Sequence, residues 1–235
     1  MTLRLGIVGA GIMGGDHARV FAEEVPGVSL QVICDADPKR ARAVAAATGA
    51  AGIASDPYAV IADSKIDAVV IAAPDQFHAP LTLACIAAGK PVLCEKPLSQ
   101  DINECLSVLA AEEKRGKRLV QIGFMRRFDP SYGEIKGLLD RGDLGKALMF
   151  HCFHRNVSPA YDFRPEMAIC NSAPHEFDVA RWMLGSDFKA ISVHRPPAGG
   201  ETAQILRGAR GATPDLPARR NFMIAAAVFT VTVVG

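Results

Sequence analysis

Apolar and polar positions alternate between two periods from residue 3 to about residue 123. Five short apolar runs predict strands: LRLGIVGAG, VSLQVICDAD, DAVVIAAP, KPVLCEKP and RLVQIGF. Between them lie stretches with helical spacing, such as GGDHARVFAEEV and DPKRARAVAAATG. Strands that are apolar throughout are buried on both faces, which is typical of parallel sheets covered by helices. The pattern predicts a doubly wound α/β domain over residues 1–123.

The pattern changes over residues 124–235. PSYGEIKGLLDRG predicts a helix, KALMFHCFHRN a longer strand, HEFDVARWMLG a helix ended by Gly185, and FKAISVHRP another strand. From Pro196 to Arg220 the residues Pro, Gly, Ala and Arg show no usable period, which predicts a loop or disorder. The final apolar run FMIAAAVFTVTVVG is short for a membrane-spanning helix and β-branched, so it predicts a strand, or a strand and its neighbour. A second, α+β domain is therefore expected.

Composition narrows the classes of partner. Twenty-six basic and twenty-five acidic side chains give a net charge of +1, which does not favour nucleic acid or an anionic membrane. The six cysteines are dispersed, without C-x-x-C or zinc spacing, so we expect reduced thiols and no metal site. The N-terminus enters a strand directly and does not resemble a signal peptide, so a cytoplasmic location is expected. A small-molecule partner is favoured.

The segment GAGIMG carries the first candidate site. Gly9, Gly11 and Gly14 have the G-x-G-x-x-G spacing directly after a predicted strand and at the start of a helix. In this motif the glycines permit a tight turn, close approach of the backbone to a pyrophosphate, and close packing of helix and strand. Asp35 ends the second predicted strand, where a carboxylate accepts the ribose 2′-hydroxyl. Together these features predict a dinucleotide.

Asp35 also favours NAD over NADP, because its charge repels a 2′-phosphate. Lys39 and Arg40 follow closely and would reach such a phosphate if the loop bends. The alternative for both residues is a solvated first helical turn.

The segment CEKP carries the second candidate site. Glu95, Lys96 and Pro97 follow an apolar strand, at the carboxyl end where open α/β sheets bind ligands. Lys96 is therefore a site candidate. The alternative is a surface lysine in a β-turn, with Pro97 fixing the exit.

Four motifs in order, GIVGAGIMG, AAPDQFH, CEKPLS and QIGFMRRFDPSY, resemble the Gfo/Idh/MocA family of oxidoreductases. MFHCFHRN followed by NSAPHEFDVARWMLG is most similar to the inositol 2-dehydrogenase branch of that family. The resemblance covers residue 2 to about residue 195. It implies an N-terminal Rossmann domain and a C-terminal α+β domain, whose open mixed sheet forms one wall of the substrate site and much of a tetramer interface.

The same resemblance implies an activity and its residues. The activity is NAD-dependent oxidation of a cyclic polyol, foremost myo-inositol to 2-keto-myo-inositol. Lys96 would hydrogen-bond the reacting hydroxyl, and His175 would take its proton as the hydride leaves for nicotinamide. The alternative for His175 is a structural residue at a helix start. The remaining implied cofactor contacts are Ile12, Met13, Pro74, His78, Glu95 and Lys96 itself. The remaining implied substrate contacts are Arg126, His154, Asn156 and Asn171, of which Asn171 is also implied to be catalytic.

Two features depart from the inositol branch. Asn171 stands four residues before His175, where the branch usually has aspartate; asparagine orients an imidazole but supplies no charge, so His175 is expected to be a weaker base. The family's larger domain also continues further than this chain, so we expect a truncated C-terminal domain that is atypical from about residue 196. Two alternative functions follow: a dehydrogenase of another sugar or cyclitol, or a non-catalytic dinucleotide-binding remnant. The family's homotetramer is in doubt for the same reason.

Overall fold

The fold was obtained as a computed structural model, which describes residues 2–156, 168–188, 191–194, 203–208 and 225–231. The chain divides into two compact units, residues 1–123 and residues 124–235. Each unit has a β-sheet of its own.

The first unit is a doubly wound α/β domain. Its six parallel strands lie in the order β3-β2-β1-β4-β5-β6, which is the strand order of a Rossmann fold. The strands are β1 Leu3–Val8, β2 Val28–Cys34, β3 Gly52–Ala54, β4 Ala68–Ile71, β5 Val92–Cys94 and β6 Val120–Ile122. The helices are α1 Ile12–Glu23, α2 Pro38–Thr48, α3 Pro57–Ala62, α4 His78–Ala88 and α5 Ile102–Arg115. The chain order reverses between β1 and β4, so a crevice is expected at their carboxyl ends.

Apolar side chains bury both faces of this sheet. Along β4, Val69 and Ile71 belong to one buried cluster, whereas Ala68 and Val70 belong to another. Successive strand residues point to opposite faces, so each cluster is the contact between one face and its helices. Continuous apolar runs are therefore required in the central strands, as the sequence indicates.

Short polar signals set the helix ends. Asp37, Asp56 and Asp101 cap α2, α3 and α5, and each carboxylate accepts the backbone N–H two residues further on. At the opposite ends, Gly49 and Gly89 adopt the left-handed conformation after α2 and α4, with φ of 69° and 72°.

The second unit contains a four-stranded mixed sheet in the order β7-β10-β9-β8. β10 pairs antiparallel with β7 and parallel with β9, and β8 pairs antiparallel with β9. The elements are α6 Pro130–Asp140, β7 Phe150–Asn156, α7 Pro174–Leu184, β8 Ser192–His194, β9 Ala203–Gly208 and β10 Ala225–Val231. A 3₁₀ turn at Met125–Phe128 precedes α6, and a π-helical turn at Ala168–Ser172 leads into α7.

The predicted fold class is confirmed, and the final apolar run does form a strand, β10. The prediction of a loop or disorder from Pro196 to Arg220 was wrong at Ala203–Gly208, which is β9. That strand lies between β10 and β8, so pairing on both sides outweighs its weak local pattern. The strand predicted at KALMFHCFHRN is shorter than expected, and β3 and α3 were not predicted.

Candidate functional site

The turn from β1 into α1 needs glycine at two positions for the fold itself. Gly9 has a φ of 98°, and a Cβ there would lie 2.3 Å from the Ala72 carbonyl oxygen. A Cβ on Gly14 would lie 1.8 Å from the Gly9 carbonyl oxygen. The first and third glycines of the motif therefore let the turn, α1 and the end of β4 approach closely.

Gly11 differs from its two neighbours in the motif. It caps α1 with an ordinary φ of −75°, and a Cβ there would have no protein atom within 4 Å. The space that a Cβ would fill lies over the helix N-terminus, where backbone N–H groups bind phosphate. The adjoining side chains of Ile12 and Met13 are 78% and 44% exposed. This arrangement fits the pyrophosphate of a dinucleotide.

Asp35 directly follows β2 and binds the glycine turn. Its Oδ2 accepts the Ala10 backbone N–H at 2.7 Å, and its Oδ1 accepts the Asp37 N–H at 2.8 Å. The Arg40 guanidinium donates to the same Oδ1 at 3.1 Å, from a side chain that is 58% exposed. The carboxylate therefore holds the glycine turn through these hydrogen bonds. Arg40 therefore lies beside the Asp35 carboxylate, whereas the sequence had left open whether Arg40 approaches this position or is solvated.

The loop after β5 holds Lys96 between two anchored neighbours. On the Glu95 side, the carboxylate Oε1 lies 2.8 Å from the His17 Nε2 of α1, and Oε2 accepts the Lys96 backbone N–H at 3.3 Å. Burial opposes ionisation of Glu95, but the hydrogen bond and charge of His17, together with the backbone N–H and charge of Lys96, outweigh burial and lower the carboxyl pKa. Glu95 is therefore a carboxylate at neutral pH, and Lys96 is half-buried beside it.

His78 anchors the other side of the loop. Its ring is 1% exposed, with Nδ1 2.7 Å from the Pro97 carbonyl oxygen and Nε2 2.7 Å from the Ala73 carbonyl oxygen. Because both nitrogens face backbone acceptors, the ring joins the loop after β4 to the loop after β5. We infer that His78 supports the site from beneath, whereas Pro74 is exposed at the surface of the same loop.

In the second unit, α7 carries the candidate base. His175 occupies the first turn of α7, is 7% exposed, and packs edge-on to Phe124 with ring centroids 6.3 Å apart. Asn171 lies in the π-helical turn that directly precedes α7.

Two arginines of the 3₁₀ turn bind α7. Arg126 Nη1 pairs with Oε1 of Glu176, whose side chain is 1% exposed. Arg127 binds Asp178 with both Nε and Nη2 at 2.7 Å and lies over the Trp182 ring. Burial of Arg126 disfavours its charge, but Glu176, together with Tyr132 and Cys152, outweighs burial and raises the Arg126 pKa. These pairs fix the turn against the helix that carries His175.

Within the first unit, the structure gathers the predicted cofactor residues at the carboxyl ends of β1, β2, β4 and β5. Sequence reasoning missed His17 and Glu176. His17 lies three residues after the last motif glycine, and Glu176 is adjacent to His175. Proximity to a motif was the one sequence feature that could have indicated a role for either residue. His154 and Asn156 lie on β7, opposite Ala227 and Ala225 of β10, and their side chains fall outside the described residues.

Two features are not found in the part of the chain that the structure describes. It contains no cluster of three or more His, Cys, Asp or Glu side chains suited to a metal ion. It also contains no helix long and apolar enough to cross a membrane.

Comparison with known proteins identifies relatives over both units. Residues 3–124 match the oxidoreductase family GFO_IDH_MocA, described as an NAD-binding Rossmann fold, and residues 132–210 match the C-terminal domain of that family. The match extends past residue 195, where the sequence analysis had ended the resemblance. Inositol 2-dehydrogenase 1 of Saccharopolyspora erythraea is 45% identical over 92% of this chain and 67% of its own length. Inositol 2-dehydrogenase 4 of the same organism is 49% identical over 83% of this chain and 57% of its own.

Solved structures of similar proteins share the fold. Myo-inositol 2-dehydrogenase of Lactobacillus plantarum is 30% identical with a TM-score of 0.75, covering 84% of this chain and 61% of that one. Scyllo-inositol dehydrogenase of Lactobacillus casei, with bound NAD(H) and scyllo-inositol, is 27% identical with a TM-score of 0.73, covering 83% and 60%. The chain thus spans about three fifths of the length of most of these relatives.

Proposed function

The chain belongs to the Gfo/Idh/MocA family of oxidoreductases, and from that premise we propose that it catalyses NAD-dependent oxidation of a cyclic polyol, myo-inositol to 2-keto-myo-inositol. The observation that carries the proposal lies at the switch between β1 and β4. There the first unit brings together the open helix N-terminus at Gly11, the Asp35 carboxylate, and the anchored Lys96 loop. Such a crevice is where open α/β sheets bind dinucleotides.

The first unit's own residues would bind and orient NAD. The α1 N-terminus takes the pyrophosphate at Gly11, and Asp35 takes the ribose 2′-hydroxyl. The bound cofactor supplies a hydride acceptor. A cytoplasmic location fits an enzyme that depends on a soluble NAD pool.

Lys96 and His175 are proposed to act on the reacting alcohol. The Lys96 ammonium donates a hydrogen bond to the hydroxyl oxygen, which stabilises negative charge as the C–H bond breaks. His175 accepts the hydroxyl proton, and Asn171 orients the imidazole. Arg126, His154 and Asn156 are proposed to recognise the other hydroxyls of the ring, with Arg126 held by Glu176. The oxidised carbon thus loses one hydride and its oxygen loses one proton.

Two other functions have specific support. A related enzyme bound to scyllo-inositol favours a different cyclitol as the substrate. A protein that binds NAD without turning over a polyol is the second alternative, because the first unit by itself contains the glycine turn and the Asp35 carboxylate. Assembly into a homotetramer is a further proposal, which light scattering of the purified chain tests directly.

The test is NADH formation with myo-inositol, scyllo-inositol and other cyclitols, alongside NAD binding by calorimetry. Lys96→Met and His175→Ala should each lower turnover at least about 100-fold and leave NAD affinity within about twofold, because general acid–base groups contribute on this scale. Lys65→Met, an exposed lysine of the same unit, is the matched control and should have no effect. NAD binding without turnover of any polyol would establish the binding protein instead.

Asn171→Asp tests the base itself. A carboxylate near His175 would stabilise the imidazolium formed during hydride transfer, so turnover at neutral pH should rise and the acid limb of the pH–rate profile should move to higher pH. Superimposable profiles for the wild type and Asn171→Asp would mean either that residue 171 does not contact His175 or that His175 does not accept the proton.

A further inference from the structure

His17 is a partly buried histidine on α1 that the proposed mechanism does not use. Its ring nitrogen Nε2 lies 2.8 Å from Glu95 Oε1, and the side chains of the two residues are 22% and 12% exposed. The hydrogen bond joins the helix that receives the pyrophosphate to the loop that carries Lys96. No other contact described above joins those two elements through side chains.

The Glu95 carboxylate transmits this contact to Lys96. Its second oxygen, Oε2, accepts the Lys96 backbone N–H, and a Cβ at Gly123 would come within 3.0 Å of the carboxyl atoms. The absence of a side chain at Gly123 therefore makes room for the carboxylate between β6 and α1. The Glu95 backbone N–H is also held, by the Ile71 carbonyl oxygen at 2.9 Å. With its main chain fixed, the carboxylate has a defined place from which to hold Lys96.

Helix α1 is a rigid reference for this contact. Gly14 lies so close to the Gly9 carbonyl that α1 has little freedom relative to β1, and Ala18 of the same helix is fully buried. A dinucleotide bound at the first turn of α1 and the Lys96 loop, which His17 contacts from the second turn, would therefore both be positioned relative to the same rigid helix.

We propose that His17 is a positioning residue, whose hydrogen bond to Glu95 fixes the Lys96 loop relative to the dinucleotide-binding helix. The inference rests on the proposed function for its kinetic consequence, but its structural consequence is measurable on the protein alone. A misplacement of about 1 Å in a catalytic group costs up to about 100-fold in rate, so this contact has a measurable size.

Three variants of α1 distinguish the effect of losing the hydrogen bond from the effect of side-chain size and from the effect of mutating the helix elsewhere. His17→Leu keeps an apolar side chain against Phe21, which the imidazole stacks on, but removes the donor. His17→Gln supplies an amide N–H near the position of Nε2. Arg19→Ala is the matched control, because Arg19 pairs with Asp16, Glu23 and Glu24, which are exposed residues of the same helix and its C-terminal cap.

The first measurement is amide hydrogen exchange of Lys96, without cofactor or substrate. His17→Leu should speed exchange of this amide at least about tenfold, because the released carboxylate no longer holds the N–H, and His17→Gln should restore it. Arg19→Ala should match the wild type. Unchanged exchange in His17→Leu overturns the proposal, whatever the enzyme activity is.

The second measurement is kinetic. His17→Leu should lower kcat about 10-fold to 100-fold and leave the dissociation constant of NAD within about twofold, with recovery in His17→Gln. In a Glu95→Ala background, His17→Leu should add little, since the two residues act through one contact. An equal loss in the Leu and Gln variants overturns the proposal. A wild-type protein without turnover contradicts the proposed function, and the exchange measurement still decides the role of His17.

Discussion

The two units position their candidate catalytic groups by different means. In the first unit, Lys96 lies in the loop that follows the parallel strand β5. Side chains hold this loop: His78 binds the Pro97 carbonyl oxygen, and Glu95 binds the Lys96 backbone N–H. His17 in turn binds the Glu95 carboxylate. In the second unit, His175 lies on a helix that is fixed by two arginine–carboxylate pairs, Arg126–Glu176 and Arg127–Asp178. The first arrangement depends on close backbone approach, and the second depends on buried charge. Mutations should therefore destabilise the first unit mainly through steric overlap with the backbone and the second unit mainly through loss of charge pairing.

The largest effect is expected where backbone approach is closest. Gly14→Ala places a Cβ against the Gly9 carbonyl oxygen, a rigid backbone atom, so it should lower the free energy of unfolding of the first unit by more than about 4 kcal/mol. Gly11→Ala meets no protein atom and should change that free energy by less than about 1 kcal/mol, while weakening NAD binding. Urea unfolding and calorimetry measure the two quantities. Equal stability of both variants would contradict the distinction between the glycines.

In the second unit, loss of buried charge pairing should have the next largest effect. Glu176→Ala leaves the half-buried Arg126 guanidinium without its carboxylate, so the free energy of unfolding should fall by about 3–5 kcal/mol. Asp178→Ala breaks a pair whose arginine is 39% exposed and should cost only about 1 kcal/mol. Trp182 is the single tryptophan of the chain, so its fluorescence follows the second unit alone. Similar losses in both variants would show that burial does not separate the pairs.

A buried carboxylate of the first unit tests whether that unit depends on charge at all. Glu112 Oε1 accepts the backbone N–H groups of Leu119 and Val120 at 2.7 and 2.8 Å. Glu112→Ala orphans both donors and should cost about 1–3 kcal/mol, whereas Glu112→Gln keeps an acceptor and should cost less.

The pH dependence of stability sharpens this test. Burial opposes ionisation of Glu112, but hydrogen bonds from Val120 and Leu119, together with the charge and hydrogen bond of Arg118, lower its pKa below the ordinary value of 4.5. A lowered folded-state pKa stabilises the protein above the unfolded-state pKa, and this contribution is lost as the pH falls through the folded value. Wild-type stability should therefore fall more steeply below about pH 4.5 than that of Glu112→Gln. Parallel curves would assign the cost to hydrogen bonds alone.

The last prediction concerns the choice of cofactor, where no large change in stability is involved. Asp35→Ser removes a negative charge beside Arg40, so affinity for NADP relative to NAD should rise about tenfold, or about 1.4 kcal/mol. Arg40→Ala in the same background should remove most of that gain, because Arg40 would then no longer meet the 2′-phosphate. Calorimetric titration with both cofactors provides the ratio. Wild-type protein that binds NADP as tightly as NAD would contradict the assigned role of Asp35.

Much of the first unit was predictable from local signals. The apolar runs, the Asp-Pro pair that begins α2, and the glycines that end helices each depend on a few neighbouring residues. The second unit was less predictable because its sheet joins distant segments, and β9 acquires strand structure from its partners β8 and β10. The candidate sites differ in the same way. The glycine motif can be recognised within one short segment, whereas the His17–Glu95 and Arg126–Glu176 contacts join residues far apart in the chain.

The sequence by itself determined the fold class, the dinucleotide motif and the family, because each is encoded by spacing within short segments. Only the tertiary structure decided what surrounds those motifs. It placed Gly11 alone of the three glycines in open space, paired Arg40 with Asp35, and buried His78 between two carbonyl oxygens. Spacing along a chain specifies which backbone turns form, but contacts between side chains depend on how separate strands and helices come together, and that information is distributed over the whole domain.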